Sequence, residues 1–261
     1  MNLKVSIIIC VLNGEKSIYT TVKSILNQDY LNLELIIIDG GSSDNTIEII
    51  KNFDSPKIKW ISEPDKGISD AFNKGIKFAK GDYINFQGDG DGFIHENVLT
   101  EIFQNKTVKK DQIICGNIKR IDIEGNILFT TRLKENFRKT SLLYKMSLPH
   151  QGLFLPRVFF DKYGLFDLKT KFAMDYELLL RAYKSFPEVI IINTPIAYWR
   201  ADGLGEGKTL KILKEYLKIK KKNKVENQLI IYIIYITDVT KYVIKSIFKK
   251  VKLHLLTGKI L

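Results

Sequence analysis

The stretch Tyr83–Phe93, YINFQGDGDGF, carries two carboxylates that could hold a metal ion. Asp89 and Asp91 are separated by one glycine and follow a short run with strand character. Residues two positions apart in an extended segment point to the same side, so both carboxylates can serve one site, with a metal at one and a sugar or a water at the other. Carboxylate oxygens suit Mg²⁺ or Mn²⁺. Because Asp and Gly are also common turn residues, an ordinary turn explains these residues equally well on their own.

Polar residues and glycines also follow two earlier strand-like runs. Asn13-Gly14 ends the first run, and residues 39–44, DGGSSD, follow the second. In an open α/β sheet, ligands bind at the carboxyl ends of the strands. The sequence therefore predicts that these stretches and the GDGDG segment form one shared site.

Strand and helix signals alternate through the first half of the chain. The β-branched runs LKVSIIICVL and LELIIID are separated by EKSIYTTVKSILNQ, in which Ile18, Val22, Ile25 and Leu26 share one helical face. This alternation predicts parallel strands joined by right-handed crossovers. Continuous apolar runs are typical of strands covered on both faces. The predicted fold class is therefore α/β.

The rhythm of the sequence changes near Asp111. QIICGNIKRID and NILFTTRL flank Glu124-Gly125-Asn126, which predicts a β-hairpin. A short helix, the segment SLPHQGLFLP, a helix containing FAMDYELLLRAYKSF and two strands, EVIIIN and IAYWR, are expected to follow. Composition then turns to Lys, Ile and Tyr. We therefore predict a main domain over residues 1–205 and a helical tail over residues 206–261.

The formal charge of +12 is concentrated in this tail. Residues 208–261 hold 14 lysines and three acidic residues, so the rest of the chain is nearly neutral. Cys10 and Cys115 each end an apolar run and are interpreted as buried free thiols, which favours a reducing compartment. Met1–Leu12 lacks the pattern of a signal peptide. The longest apolar run of the tail, Leu229–Ile236, is far shorter than the roughly 20 residues of a spanning helix, so a cytoplasmic protein is expected.

Lys4–Trp199 resembles the inverting glycosyltransferases of family 2, which have the GT-A fold. In that fold a Rossmann-like, mostly parallel sheet is flanked by helices. The resemblance rests on the order and spacing of VSIIICVLNGEKSIYTTVKSILNQDYLNLELIIIDGGSSDNTIEII and of SEPDKGISDAFNKGIKFAKGDYINFQGDGD. It implies that a sugar is transferred from a nucleotide-diphosphate donor, with Mn²⁺ or Mg²⁺, in one displacement that inverts the anomeric centre.

The resemblance also implies which residues meet the donor. The positions that match the family's nucleotide site are Asn13, Asp39, Asp44, Lys66, Gly67, Asp70 and Asp89. Asp39 matches an acid that most often contacts uracil, and Asp91 is the expected principal metal ligand, with Asp89 as the second. For Asp44 a helix cap is an equally good interpretation. For Asp70 the alternative is a first-turn acid favoured by the helix dipole.

An inverting displacement also needs a group that takes the proton of the acceptor hydroxyl. The family places an acid near the start of a late helix, and AMDYELLLRAY fits this description. Asp175 is therefore the expected base and Glu177 the weaker candidate. Without the resemblance, Asp175 would be interpreted as a first-turn carboxylate without a chemical role. Arg181 is expected either at the diphosphate or in an i,i+4 pair with Glu177.

Four further residues are expected on the acceptor or diphosphate side. His150 and Gln151 match a His-Gln pair that relatives carry near the acceptor or the metal, although a lone His is more often structural. Trp199 and Arg200 precede a glycine-rich loop that the family closes over the donor. Arg200 is the basic residue expected to stabilise the leaving diphosphate.

The tail has the pattern of a basic amphipathic helix. Lysines at positions 241, 245, 249 and 252 share one face, and the opposite face gathers Ile236, Val243, Ile244, Ile247 and Val251. Such a helix lies in the headgroup region of an anionic membrane. The alternative is a helical arm that packs on the domain or on a second subunit of a homo-oligomer. Because the tail contains no Arg, nucleic-acid binding is not expected.

Taken together, the resemblance and these residues imply a metal-dependent glycosyltransferase of surface polysaccharide or glycan assembly that is peripheral to the inner face of the cell membrane. The expected donor is a UDP-hexose or UDP-N-acetylhexosamine, and the expected acceptor is a lipid-linked saccharide. A nucleotidyltransferase of similar fold is one alternative, but VLNGEKS is a poor version of the basic, glycine-rich loop that it would need. A non-catalytic membrane-binding protein is another, but it has no need for Asp39, Asp91 and Asp175 together.

Overall fold

The computed structural model describes residues 3–104, 108–203 and 205–257, with residues 249–257 as backbone alone. The strands are β1 (Val5–Val11), β2 (Leu33–Asp39), β3 (Ile58–Ser62), β4 (Tyr83–Gly88), β5 (Gly92–Phe93), β6 (Ile113–Ile121), β7 (Ile127–Thr130), β8 (Leu153–Pro156) and β9 (Val189–Arg200). The α-helices are α1 (Ile18–Leu26), α2 (Thr46–Lys51), α3 (Ile68–Phe78), α4 (Val98–Phe103), α5 (Arg157–Tyr163), α6 (Met174–Arg181), α7 (Thr209–Lys222) and α8 (Gln228–Thr257).

One mixed sheet contains all the described strands, in the spatial order β3-β2-β1-β4-β8-β6-β9-β5, with β7 paired to β6. β1 is parallel to both β2 and β4, and β2 is parallel to β3. The helices between these strands make the crossovers that parallel pairing requires. β8 runs antiparallel between β4 and β6. The predicted α/β fold class is confirmed.

Apolar layers cover both faces of the sheet. Along β1, Ile8 and Cys10 pack into one layer and Ile7 and Ile9 into the other. All four side chains are buried, which explains why the strand is apolar at every position instead of alternating. Cys10 and Cys115 are both buried free thiols, as predicted.

The second half of the sheet differs in part from the sequence prediction. The predicted hairpin is present, because β6 and β7 pair antiparallel around a turn with Gly125 at φ +88°. EVIIIN and IAYWR, expected as two strands, form the single strand β9. Its register with β6 shifts twice near Asn117, opposite Pro195, which has no N–H to donate to a ladder. β8 lies within SLPHQGLFLP, where no strand was predicted.

The first helix of the predicted tail is anchored to the main domain. Glu215 of α7 accepts hydrogen bonds from the N–H groups of residues 171–173 at 2.9–3.0 Å, just before α6. Lys222, at the other end of α7, lies 2.7 Å from Asp167 and 2.9 Å from the buried carboxylate of Glu177. α7 therefore packs along α6, and the division at residues 205 and 206 stays a prediction.

α8 contacts α7 near its N-terminus and is largely exposed beyond it. Ile231 and Ile234 are buried, while Lys241 and Lys245 are exposed. The apolar residues of the predicted opposite face are also exposed: Ile236, Val243, Ile244 and Ile247. The side chains of Lys249, Val251 and Lys252 lie outside the described residues. Over the described part of the chain, no helix combines the length and apolarity that crossing a bilayer requires.

Candidate active site

A cleft of about 1720 Å³ lies beyond the end of β4, between β9, the 131–149 segment and α7. It is lined by seven of the predicted site residues: Asp89, Asp91, His150, Gln151, Asp175, Trp199 and Arg200. These residues come from four separate parts of the sequence, and the sheet brings them to one opening. The cleft is therefore the candidate active site.

Asp91 is held rigidly at the floor of this cleft and is only 7% exposed. Its Oδ2 accepts hydrogen bonds from the Gly88 N–H at 2.8 Å and from Gln151 Nε2 at 2.9 Å. Its Oδ1 accepts one from the Arg200 N–H at 2.8 Å. Burial raises the pKa of Asp91 to about 6, although the three hydrogen bonds favour the charged form. Gln151 thus orients the carboxylate that was expected to bind the metal.

One carboxylate oxygen of Asp89 accepts a hydrogen bond within the protein, and the other has no hydrogen-bond partner among the described residues. Oδ2 accepts a hydrogen bond from Ser17 Oγ at 2.7 Å and lies 3.7 Å from Arg200 Nη2. Oδ1 is buried and has no hydrogen-bond partner among the described residues. Burial raises the pKa of this carboxyl. Between the two acids, Gly90 has φ +88°, which favours glycine, and a Cβ there would lie 2.2 Å from the Arg200 guanidinium and would displace it.

The two carboxylates fit a divalent cation of the Mg²⁺ or Mn²⁺ type. These ions take oxygen ligands and are usually bound through one or two carboxylates together with substrate phosphates and waters. Asp89 offers an unpaired oxygen, and Oδ1 of Asp91 accepts only one hydrogen bond. Within the described residues, no group of three or more His, Cys, Asp or Glu side chains is arranged to hold a metal. An ion held by these two acids would take its remaining ligands from waters or from a substrate phosphate.

The loop after β9 is tied down beside these acids. Arg200 Nε donates to Asp202 Oδ1 at 2.7 Å. The guanidinium of Arg120 lies 4.3 Å from the ring centroid of Trp199 and also bonds Glu206 at 2.5 Å. The predicted glycine-rich loop therefore has anchors on both β6 and β9, and its residue 204 lies outside the described part of the chain.

Asp175 and His150 also line the cleft. Asp175 lies in the first turn of α6, where its Oδ1 accepts a hydrogen bond from the Tyr176 N–H at 2.7 Å. The imidazole of His150 stacks on Phe86 at 5.4 Å, and both of its ring nitrogens are buried without a hydrogen-bond partner among the described residues. Burial lowers the pKa of His150, while the charge of Asp175 opposes the shift. Because buried polar atoms are normally paired, this wall fits a ligand with hydroxyl groups.

Two residues of α7 support this part of the cleft, although the sequence did not reveal them. Tyr216 lines the cleft and stacks on Tyr176 with ring centroids 4.0 Å apart. The Glu215 carboxylate accepts hydrogen bonds from the backbone N–H groups of residues 171–173, shortly before Asp175. The available signal was that Glu215 is the single acid among the lysines of α7.

Asp39, which was expected to contact the nucleobase, is fully buried at the end of β2. Its Oδ2 accepts hydrogen bonds from the N–H groups of Gly41 and Ser42, at 3.0 and 2.9 Å, and from Ser62 Oγ at 2.6 Å. Its Oδ1 accepts one from Ser42 Oγ. The carboxylate thus accepts four hydrogen bonds, through which Asp39 shapes the loop after β2 in this structure. The expected contact of Asp39 with a nucleobase stays a prediction.

Asn13 and Asp44 join the loops after β1 and β2, outside the cleft. Asn13, at φ +56°, accepts a hydrogen bond from the Ser43 N–H at 2.9 Å. Asp44 accepts one from the Glu15 N–H at 3.0 Å and two from Thr46, through its N–H and hydroxyl. The pKa of Asp44 is lowered because these hydrogen bonds outweigh desolvation. The capping interpretation of Asp44 therefore agrees with its contacts.

Lys66, Gly67 and Asp70 lie at the start of α3, also outside the cleft. Gly67 is the N-cap residue at φ +108°, and Asp70 Oδ2 accepts a hydrogen bond from the Lys66 N–H at 3.1 Å. Asp70 thus has the first-turn position that the dipole favours. These loops follow neighbouring parallel strands, so they share the sheet edge with the cleft.

Glu177 and Arg181 do not line the cleft, which corrects their expected place on the acceptor or diphosphate side. Glu177 is 0% exposed, and its carboxylate lies 3.0 Å from Arg181 Nε, four residues on. The other Arg181 nitrogens donate to the carbonyls of Tyr163 and Leu165. The structure supports the i,i+4 pair, because a buried carboxylate needs a cation beside it.

Comparison with known proteins agrees with this geometry. The family model described as Glycosyl transferase family 2 matches residues 6–164. The uncharacterized glycosyltransferase RP339 of Rickettsia prowazekii (strain Madrid E) is 32% identical over 187 residues, which cover 69% of this chain and 58% of the relative. This chain thus spans less than two thirds of that relative's length.

Solved structures show the same fold at low identity. S. aureus TarS in complex with UDP has a TM-score of 0.68 at 16% identity, covering 91% of this chain and 71% of that one. The mannosyltransferase PcManGT from Pyrobaculum calidifontis, in complex with GDP-Man and Mn²⁺, has a TM-score of 0.65 at 14% identity, covering 86% and 65%. Both similarities support the GT-A fold. Because the family model matches more than half of the chain, this protein belongs to glycosyl transferase family 2.

Proposed function

We propose that this protein is a metal-dependent, inverting glycosyltransferase. It moves a hexose or N-acetylhexosamine from a nucleotide-diphosphate sugar to a saccharide acceptor. The observation that carries the proposal is the convergence of Asp89, Asp91 and Asp175 on one cleft of a family 2 fold. Structural neighbours bound to UDP and to GDP-Man with Mn²⁺ support a nucleotide-sugar donor.

The donor half of the site is proposed to lie at the ends of β1 to β4. Asp91 and Asp89 would hold Mn²⁺ or Mg²⁺, which when bound stabilises the negative charge of the departing diphosphate. Arg200, 3.7 Å from Asp89, adds a positive charge at the same place. The loops that contain Asn13 and residues 39–44 are proposed to hold the nucleoside, with UDP as the favoured nucleotide.

Asp175 is proposed as the general base. It would take the proton of the acceptor hydroxyl as that oxygen attacks the anomeric carbon and the bond to the diphosphate breaks. A single displacement of this kind inverts the anomeric centre. His150, whose ring nitrogens have no partners among the described residues, is proposed to bind an acceptor hydroxyl.

The acceptor is proposed to be lipid-linked and the protein to be peripheral to the inner face of the cell membrane. An exposed apolar stripe follows one side of α8 and includes Leu229, Ile233, Ile236 and Ile247. Lys241 and Lys245 are exposed on the other side of the helix. This arrangement supports binding to an anionic bilayer, with homo-oligomer packing through the same stripe as the alternative.

The test is release of nucleoside diphosphate from a panel of UDP- and GDP-sugars, with Mn²⁺ and mixed saccharide acceptors. Asp175→Asn should lower turnover by about 10²–10⁴-fold, the contribution of a positioned base, while donor binding is retained. Asp161→Asn removes an exposed carboxylate of α5 and serves as the matched control. Equal turnover in the two variants would contradict the role of Asp175 as the general base.

The same assay separates the two alternatives. A nucleotidyltransferase would release inorganic pyrophosphate from a nucleoside triphosphate and leave nucleotide sugars intact. A non-catalytic membrane-binding protein would turn over neither substrate and would still bind anionic vesicles. Either pattern would contradict the proposed transfer of a sugar.

A further inference from the structure

One wall of the cleft carries a concentration of positive charge that the proposed reaction does not use. We call residues 131–149, between β7 and β8, the cationic wall. This segment holds five basic residues and one acid. The basic residues that line the cleft are Arg132, Lys134, Arg138 and Lys145, and all four are exposed. The wall leads directly into His150 and Gln151, beside Asp91.

These four cations differ from the other basic residues of the cleft in having no acidic partner. Arg120 is paired with Glu206, and Arg200 with Asp202 and Asp89. Among the described residues, no carboxylate lies within ion-pair distance of the four. The wall therefore presents positive charge that the protein itself does not neutralise.

The two remaining charged residues of the wall each have a hydrogen-bond partner in the protein. Glu135 accepts a hydrogen bond from Asn193 Nδ2 at 2.5 Å. Lys139 donates to the carbonyl of Lys184 at 3.4 Å and does not line the cleft. Glu135 also lines the cleft, but it stands against four cations there, so the wall as a whole keeps its positive character.

The cationic wall is placed to contact the proposed acceptor and not the proposed donor. The proposed diphosphate position already has Asp91, Asp89 and Arg200 at the ends of β4 and β9. The wall continues from His150, on the same side of the cleft as Asp175 and Tyr216. A partner that spans several units would place its reacting hydroxyl near Asp175 and its further groups along residues 131–149.

We propose that the acceptor is an anionic saccharide, bearing a phosphate or carboxylate group, and that the cationic wall binds this group. The inference rests on the proposed glycosyltransferase function and names the acceptor class for the same cleft. Several exposed cations that face one sign of charge act mainly by attracting and orienting a charged ligand, and their effect falls as salt rises. Neutral saccharides gain nothing from this wall.

The test compares a triple variant with a charge-matched control in the full chain. The wall variant is Arg132→Gln with Lys134→Gln and Arg138→Gln. The control is Lys211→Gln with Lys214→Gln and Lys218→Gln, which removes the same charge from exposed α7 positions that do not line the cleft. The probes are one neutral hexosamine disaccharide, the same unit extended by a glucuronate, and the same unit with a phosphomonoester. Binding to each probe and acceptor KM are measured at low and high NaCl.

We expect the wild type and the control to bind both anionic probes about tenfold or more tightly than the neutral one at low salt, with the preference shrinking as NaCl increases. The wall variant should lose this preference while its donor KM and melting temperature stay unchanged. A preference for only one anionic probe would identify the source of the charge as phosphate or carboxylate. Equal affinity for neutral and anionic probes, or an equal loss in the control, would overturn the proposal.

The failure of this inference is distinguishable from failure of the proposed function. Slow release of nucleoside diphosphate from a nucleotide sugar without an acceptor does not involve the wall. If that release persists and the anionic preference is absent, the wall proposal alone is wrong. If no nucleotide sugar is consumed under any condition, the proposed function itself fails.

Discussion

Replacing Glu215 tests whether α7 is part of the catalytic domain or an appendage. The Glu215 carboxylate accepts three backbone N–H groups of residues 171–173, at 2.9–3.0 Å. These residues precede α6, whose own N-cap residue, Ala173, has no side-chain oxygen to offer. Glu215 therefore holds, from another helix, the segment that leads into α6, and it fixes the turn that presents Asp175.

The magnitude follows from what Glu215→Ala leaves behind. Hydrogen bonds to a charged group contribute about 1.5–3 kcal/mol. Glu215 is only partly buried, so water replaces some of the lost contacts. We expect Glu215→Ala to lower the free energy of unfolding by about 2–3 kcal/mol and Glu215→Gln, which keeps one acceptor oxygen, by about 1 kcal/mol.

The assay pairs urea denaturation with steady-state kinetics at a temperature where all variants are folded. A shift of the turn before Asp175 by a fraction of an ångström should lower kcat at least about tenfold, because catalysis is sensitive to small displacements. The donor KM should stay constant, since Asp91 is held by other elements. Glu96→Ala, at an exposed position before α4, is the control. Wild-type stability and kcat in Glu215→Ala would refute the positioning role.

Three further predictions concern pH, backbone geometry and the membrane. Burial alone would raise the pKa of Glu34, but hydrogen bonds from Ser6, Lys59 and the Lys80 N–H hold this pKa at about 2, so the stability that Glu34 gives the folded state is complete above pH 4.5 and is lost as pH falls from 4.5 toward 2. In a plot of unfolding free energy against pH, Glu34→Gln should reduce the fall on the acid side by about 1–3 kcal/mol. An unchanged fall would contradict this prediction. Gly90→Ala should lower turnover at least about tenfold, because its Cβ would meet the Arg200 guanidinium at 2.2 Å. The control is Gly125→Ala, which also places a side chain at a positive φ but has no heavy atom within 4 Å of the new Cβ. Equal activity of the two variants would contradict a role for the contact between residue 90 and Arg200. Ile236→Glu with Ile247→Glu should weaken sedimentation with anionic vesicles at least about tenfold and leave turnover of a soluble acceptor intact; unchanged sedimentation would remove α8 from membrane binding.

The parts that the sequence predicted well were those encoded by neighbouring residues. Asp89 and Asp91 stand two positions apart after a strand, and both line the cleft, although a turn explained their spacing equally well. The parallel order of β1, β2 and β4 followed from alternating strand and helix patterns. In each case the information lay within a few residues, or within one crossover.

The parts that it missed depend on pairings between distant segments. Gln151 orients Asp91 across 60 positions, and Glu215 holds a turn more than 40 residues before it. Neither contact leaves a periodic or spacing signal. Glu177 was expected beside Asp175, and Arg181 either at the diphosphate or paired with Glu177, and the helix turns the Glu177 carboxylate into the interior, where it pairs with Arg181. A one-dimensional pattern gives the residue types of a site but not which side of a helix faces it.

The most direct test of the central proposal is calorimetric binding of UDP and GDP, with and without Mn²⁺, to the wild type and to Asp91→Asn. This substitution keeps the side-chain shape while removing the charge, and Asp161→Asn is again the control. We predict that the wild type and the control bind at least one of these nucleotides only with Mn²⁺, and that Asp91→Asn loses at least about tenfold in affinity. A nucleotide that binds the wild type equally well without the metal, or Asp91→Asn with undiminished affinity, would contradict a metal-held diphosphate at Asp91.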